Sequence, residues 1–190
     1  MVRFVLAFTL LVTAGVAAEP DQRVNPETGL AGWEWQDDAV SITFNQRLPD
    51  QSRAYFQGRG FRSEEAEQIA QSCVFQVILR NHADASAPLQ LDLADWHVVP
   101  SGGEPGPLRL EPGWQVEWEQ RGVAQGARIA FRWSLFPTVQ TLQPGDWNMG
   151  MITIGLPPGE SFDLEAVWRQ GREPRRVRFE GMRCAPDREI

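Results

Sequence analysis

The stretch Ala39-Val40-Ser41-Ile42-Thr43-Phe44 decides the fold class of this chain. Side chains of an extended strand point alternately to opposite faces, so Val40, Ile42 and Phe44 share one face. This alternation predicts a β-strand with one buried face and one wet face. The same period of two returns along the chain in the segments 89–93, 114–118, 129–135, 162–168 and 177–179.

Two apolar runs lack this alternation and indicate strands that are covered on both faces. They are Val74-Phe75-Gln76-Val77-Ile78-Leu79 and Met151-Ile152-Thr153-Ile154. Proline and glycine clusters separate the candidate strands, as turns require. We therefore expect an all-β chain that folds as a single antiparallel β-sandwich of about eight strands, immunoglobulin-like or similar.

The shared phase of the alternating segments also predicts which side chains line the core. The expected core wall consists of Val40, Phe44, Trp114, Val116, Trp118, Phe131, Trp133, Leu164 and Trp168.

One region, residues 50–73, has a helical pattern. Asp50 and Ser63 are suitable N-caps for two short helices. In the second, Ala66, Ile69 and Cys73 follow the i, i+3, i+7 spacing of a buried helix face. We expect a small helical insert between the first two strands of the sandwich.

Composition sets limits on domain number and on partners. The 190 residues are 42% hydrophobic and 23% charged, which suits one globular domain. The formal net charge of −7 argues against nucleic acid as a partner, because binding to phosphates needs clustered basic charge.

The N-terminus resembles a secretory signal in its physical pattern. An apolar run at 4–12 follows Arg3, and small residues precede a cleavage position after Ala18. The run is too short to span a bilayer, and no cysteine stands at the cleavage position to carry a lipid anchor. We predict a signal peptide at 1–18, a leader or linker at 19–36 and the sandwich domain at 37–190, in a periplasmic or secreted protein.

Cys73 and Cys184 are the two cysteines of the chain. An even count in an exported chain predicts a disulfide bond between them. The alternative is a thiolate metal site, but the wide separation of the pair lacks the close spacing of zinc ligands.

Motifs for catalysis are scarce in the sequence. The chain has two histidines and contains no G-x-S-x-G nucleophile motif, H-E-x-x-H zinc motif or glycine-rich phosphate loop. We therefore expect a protein that is not an enzyme, and a secreted enzyme ranks third among the functions considered.

Eight tryptophans are many for this length and raise the alternative of a carbohydrate-binding platform. Four of them share a phase with aliphatic residues and are predicted to be in the core. The other four have no such partners and are possible surface contacts: Trp33, Trp35, Trp96 and Trp147.

The segment from Trp147 to Leu156 is the most informative for function. If Ile152 and Ile154 pack inward, Met149 and Met151 face outward beside Trp147. Two exposed thioethers would suit either a partner surface or a Cu(I) site.

A second possible metal site combines Asp95 and His97, which would share one face of a strand. Taken together, the sequence favours an exported, non-catalytic β-sandwich that binds a partner protein or a small ligand, such as an accessory or assembly factor, without a cofactor. A copper-handling protein that uses Met149 and Met151 is the runner-up.

Overall fold

The computed structural model describes residues 19–187, which form eleven strands and four helices. The strands are β1 (Asp21–Val24), β2 (Ala31–Gln36), β3 (Val40–Gln46), β4 (Val74–Asn81), β5 (Leu89–Asp92), β6 (His97–Pro100), β7 (Gly106–Pro107), β8 (Val139–Leu142), β9 (Trp147–Thr153), β10 (Ser161–Gln170) and β11 (Glu173–Arg183). The helices are α1 (Pro49–Gln57), α2 (Ser63–Ala70), α3 (Glu111–Gln120) and α4 (Gln125–Ser134).

The strands form two antiparallel sheets, which confirms the predicted sandwich. The first sheet has the order β1-β2-β3-β4-β9, and β9 is its last strand among the described residues. In the second, β10 pairs along its whole length with β11, and its other edge pairs in turn with β6 and β5. β8 then pairs with β5 and ends that sheet.

The main core lies between the sheets and is rich in aromatic side chains. Phe44 of the first sheet meets Phe179 of the second with ring centroids 4.9 Å apart, and Trp35 meets Trp168 at 5.4 Å. Edge-to-face and tilted ring pairs of this kind add to the stabilisation from burial alone. The core contains four of the predicted wall residues, Val40, Phe44, Leu164 and Trp168.

The segments 114–118 and 129–135 were predicted to be strands, and this is wrong: 114–118 lies in α3, and 129–134 lies in α4. Residues four apart share a face in both a helix and a strand, so the burial of Trp114 with Trp118 fits either structure. The exposure of the residue between them distinguishes a helix from a strand. Val116 would be buried in a one-sided strand, but it is 56% exposed.

The four helices cover one end of the outer face of the first sheet and enclose a second core. This cluster holds Phe56, Phe61, Ala66, Ile69, Val74, Trp114, Trp118, Val123, Ala127, Phe131 and Met151. Three predicted wall residues therefore lie in a different core from the one expected, and two others, Val116 and Trp133, lie at the surface. Trp133 is on the exposed side of α4 because it is two positions from the buried Phe131.

The predicted helical insert is confirmed as α1 and α2, but it lies between the third and fourth strands, β3 and β4, and not between the first two. Its second helix begins at Ser63, and the capping interaction uses its neighbours: the Arg62 backbone N–H donates to the Glu65 carboxylate at 2.8 Å. Ser63 is thus the first helical residue and not the cap.

The predicted disulfide between Cys73 and Cys184 is present and joins the end of the helical insert to the C-terminal segment. An ionic cluster reinforces this junction, because Arg53 of α1 binds both Glu67 of α2 and Asp187. The Arg53 guanidinium holds the pKa of the Glu67 carboxyl below its usual value.

The segment 19–36 belongs to the sandwich and is not a separate leader. β2 pairs with β3 and carries Trp33 and Trp35 into the main core. The signal peptide predicted at 1–18 lies outside the described residues. None of the helices in residues 19–187 has the length and hydropathy of a membrane-spanning helix.

The chain passes from the helical layer into the main core beside Gly150 of β9. The Phe136 N–H donates to the Met151 C=O at 2.8 Å, and the Phe136 side chain is buried between the sheets. A Cβ at Gly150 would lie 2.6 Å from Phe136 Cα and 2.7 Å from the Leu135 carbonyl carbon. Only glycine leaves room for this crossing.

We expect Gly150→Ala to lower the free energy of unfolding by about 2–3 kcal/mol, because backbone atoms must move to relieve the overlap. The matched control is Gly126→Ala in α4, where a Cβ would meet nothing within 4 Å. Urea unfolding of both variants measures the difference. Equal stability of the two variants would show that the crossing at Gly150 is not tight.

Candidate functional site

The outer face of β9 divides into a buried half and an exposed half. Trp147 and Met149 are 52% and 47% exposed, whereas Met151 is 9% exposed and packs against the helical layer. The prediction that both methionines face outward is therefore wrong for Met151. Ile152 and Ile154 do pack inward, as expected, but the helices cover the opposite face from Met151 onward.

Side chains of the neighbouring strand hold the two exposed residues in place. The Gln76 side-chain amide donates to Met149 Sδ at 3.2 Å. The guanidinium of Arg80 lies over the Trp147 ring, 4.8 Å from its centroid. Gln76 and Arg80 lie on β4, two residues before and two residues after Ile78, which pairs with Met149.

Met149 lines a groove of about 800 Å³. The groove lies between the exposed side of α4, the segment 135–138 and the edge strands β8 and β9 of the two sheets. We call this space the edge groove. Its lining residues are Glu111, Pro112, Arg132, Trp133, Leu135, Phe136, Pro137, Thr138, Val139, Asn148 and Met149. Trp133 and Val139 are 84% and 68% exposed, so large apolar side chains are open to solvent here.

β8 presents free backbone groups to the edge groove. The Leu93 N–H donates to the Thr138 C=O at 2.8 Å, and hydrogen-bonded pairs recur at every second residue of an antiparallel ladder. The pairing with β5 therefore uses the backbone of Gln140 and Leu142. Val139 and Thr141 point their N–H and C=O groups away from β5, toward the open edge.

The facing edge of β9 is already partly occupied. The Met149 N–H donates to the side-chain oxygen of Asn148 at 2.7 Å, and the Met151 C=O accepts from Phe136. Of the two edges that border the groove, β8 is thus the more open to an additional strand.

Charges of both signs lie at the groove. Glu111 at the start of α3 and Arg132 near the end of α4 both line it. Apolar side chains otherwise dominate the lining, so the groove is suited to apolar groups with a few polar contacts.

The other predicted site residues lie elsewhere. Asp95 ends a 3-10 turn at Leu93–Asp95, His97 begins β6, and both are exposed. Asp95 borders a smaller pocket of about 310 Å³ together with Asp92 and Arg169. No group of three or more His, Cys, Asp or Glu side chains in residues 19–187 is arranged to hold a metal ion.

Of the four tryptophans predicted to be possible surface contacts, only Trp147 lies at the surface. Trp33, Trp35 and Trp96 are buried in the main core. Trp96 also donates from its ring nitrogen to the Val167 C=O at 2.8 Å.

Trp133 was predicted to be a core residue and not a site residue, although it is the most exposed large apolar side chain in the described part of the chain. A usable signal was present in the segment 125–134, where Ala127, Ala130 and Phe131 follow the i, i+3, i+4 spacing of a helix face, which Trp133 does not share.

The chain matches no model of a protein family, and a search of curated proteins finds no similar sequence.

Proposed function

We propose that this protein binds an extended, apolar segment of a partner protein in the edge groove. The observation that carries the proposal is the exposure of Trp133, Val139 and Met149 around one groove that is bordered by the open edge of β8. Exposed apolar surface is costly in water, and contiguous patches mark interaction sites.

The open edge of β8 supports an extended segment as the occupant. A strand laid along this edge would pair its backbone with the free groups of Val139 and Thr141. Its alternate side chains would then face the apolar lining, which supplies selectivity in this mode of recognition.

A sugar is the second candidate, because the indole ring of Trp133 is 84% exposed and could stack on a sugar ring. The remaining lining favours a peptide. Leu135, Val139 and Met149 are aliphatic or thioether side chains that pack against apolar groups, whereas sugars need several polar partners.

The proposal is tested by selecting binders from a phage-displayed library of random decapeptides on the purified protein. We expect enrichment of peptides that alternate apolar and polar residues. Trp133→Ala should weaken binding of the selected peptide at least about tenfold, because an exposed aromatic anchor at the centre of a contact carries much of its binding free energy.

The matched control is Ile129→Ala, which truncates another exposed apolar residue of α4 outside the groove. It should leave the affinity unchanged. Equal affinity of the wild type and Trp133→Ala would overturn the proposal. So would retention of a soluble cello- or chito-oligosaccharide by the wild type with no peptide enrichment, which would assign the groove to sugars.

A further inference from the structure

We propose that Met149 is a site of reversible oxidation to methionine sulfoxide, and that this modification closes the edge groove to its apolar ligand. The effect on binding rests on the proposed function, whereas the modification itself does not.

Exposure separates Met149 from the other methionines that the structure describes. Its side chain is 47% exposed, whereas Met151 is 9% exposed within the helical core and Met182 is 0% exposed in the main core. Susceptibility of a thioether to oxidants follows its access to solvent. Among residues 19–187, one thioether is therefore open to peroxide and two are shielded.

The oxidant considered is hydrogen peroxide, and the step is balanced without a further reagent. The sulfur lone pair attacks one peroxide oxygen, the O–O bond breaks, and the sulfur is oxidised by two electrons. The departing oxygen takes the proton of the transferred hydroxyl and leaves as water. The products are one methionine sulfoxide and one water molecule.

The surroundings of Met149 favour the oxidised form. The Gln76 side-chain amide already donates to the sulfur at 3.2 Å, and the sulfoxide oxygen is a much stronger acceptor than a thioether. The amide therefore stabilises the product at its place in the groove lining.

Oxidation changes the character of the groove lining. It converts a flexible apolar side chain into a polar one, directly among the apolar side chains of Trp133, Leu135 and Val139. Covering the sulfoxide oxygen with an apolar ligand group removes its hydration without full compensation. The apolar ligand is then bound more weakly.

The modification is tested on the purified full chain with dilute hydrogen peroxide, followed by peptide mapping with mass spectrometry over time. We expect Met149 to be oxidised at least about tenfold faster than Met151 and Met182, in keeping with its exposure. Comparable rates at the three positions, or slower oxidation of Met149, would overturn the assignment.

The effect on binding is tested with the decapeptide selected on the unoxidised protein. Peroxide treatment should weaken binding of this peptide to the wild type at least about fivefold. The Met149→Leu variant should bind the peptide with the same affinity before and after peroxide treatment. Methionine sulfoxide reductase supplied with a dithiol should restore the wild type, because the dithiol gives two electrons and two protons, becomes a disulfide, and the sulfoxide oxygen leaves as water. An unchanged affinity after selective oxidation of Met149 would overturn the switch.

The two proposals fail in different ways. If Trp133→Ala and the unoxidised wild type bind the peptide equally, the proposed function is wrong, and the oxidation rates still decide whether Met149 is the modified residue. If Trp133→Ala loses binding but peroxide has no effect, the function stands and the switch is wrong.

Discussion

Replacing both Cys73 and Cys184 with alanine should lower the free energy of unfolding by about 4–5 kcal/mol, the amount expected for releasing so long a loop in the unfolded chain. The two residues are 111 positions apart, with Cα atoms separated by 5.3 Å. Both are buried, so the variant also loses packed sulfur atoms at the junction of α2 and the C-terminal segment.

Equilibrium unfolding in urea measures this loss, with a reductant as the control. Reduction of the wild type under denaturing conditions should give the same destabilisation, and the reductant should not affect the double variant. A loss smaller than about 1.5 kcal/mol would mean that the bond constrains little of the unfolded chain.

Trp118→Ala should destabilise the protein by about 3–5 kcal/mol, as is typical for deleting a large aromatic side chain from a packed interior. Trp118 is fully buried, and its ring lies 4.8 Å from that of Trp114 and 5.4 Å from that of Phe61. The change removes these ring contacts and leaves a cavity in the helical core.

Trp133→Ala is the matched control, because it makes the same chemical change on an exposed side of α4. It should alter stability by less than about 0.5 kcal/mol. Comparable losses for the two variants, measured by urea unfolding, would show that the helical layer is not arranged as described.

Sequence reasoning recovered the strands whose alternation continues over several residues between clear turns. Val40, Ile42 and Phe44 are an example, since all three face the main core. It failed at α3 and α4 because Trp114 and Trp118, like Ala127 and Phe131, are four residues apart and fit either period. Pro112 and Gly113 form one of the proline and glycine clusters that were assigned to turns between strands, but they lie at the start of α3, where proline is also common.

The candidate site was only half predictable for a different reason. Trp147 and Met149 follow from strand alternation, but the burial of Met151 depends on helices that come from distant parts of the chain. The groove itself lies between the last strands of two different sheets. No local pattern specifies which edges of two sheets will meet.

The open edge of β8 has a consequence for the protein at high concentration. A strand edge that accepts a partner's backbone also accepts the same edge of another copy, which is how sheet proteins form fibres and other aggregates. Here the open edge is four residues long, and across the groove the Asn148 side chain occupies the Met149 N–H. Short edges and self-satisfied backbone groups limit chain-to-chain polymerisation, so the β8 edge can accept a ligand strand but offers little length for pairing with a second copy.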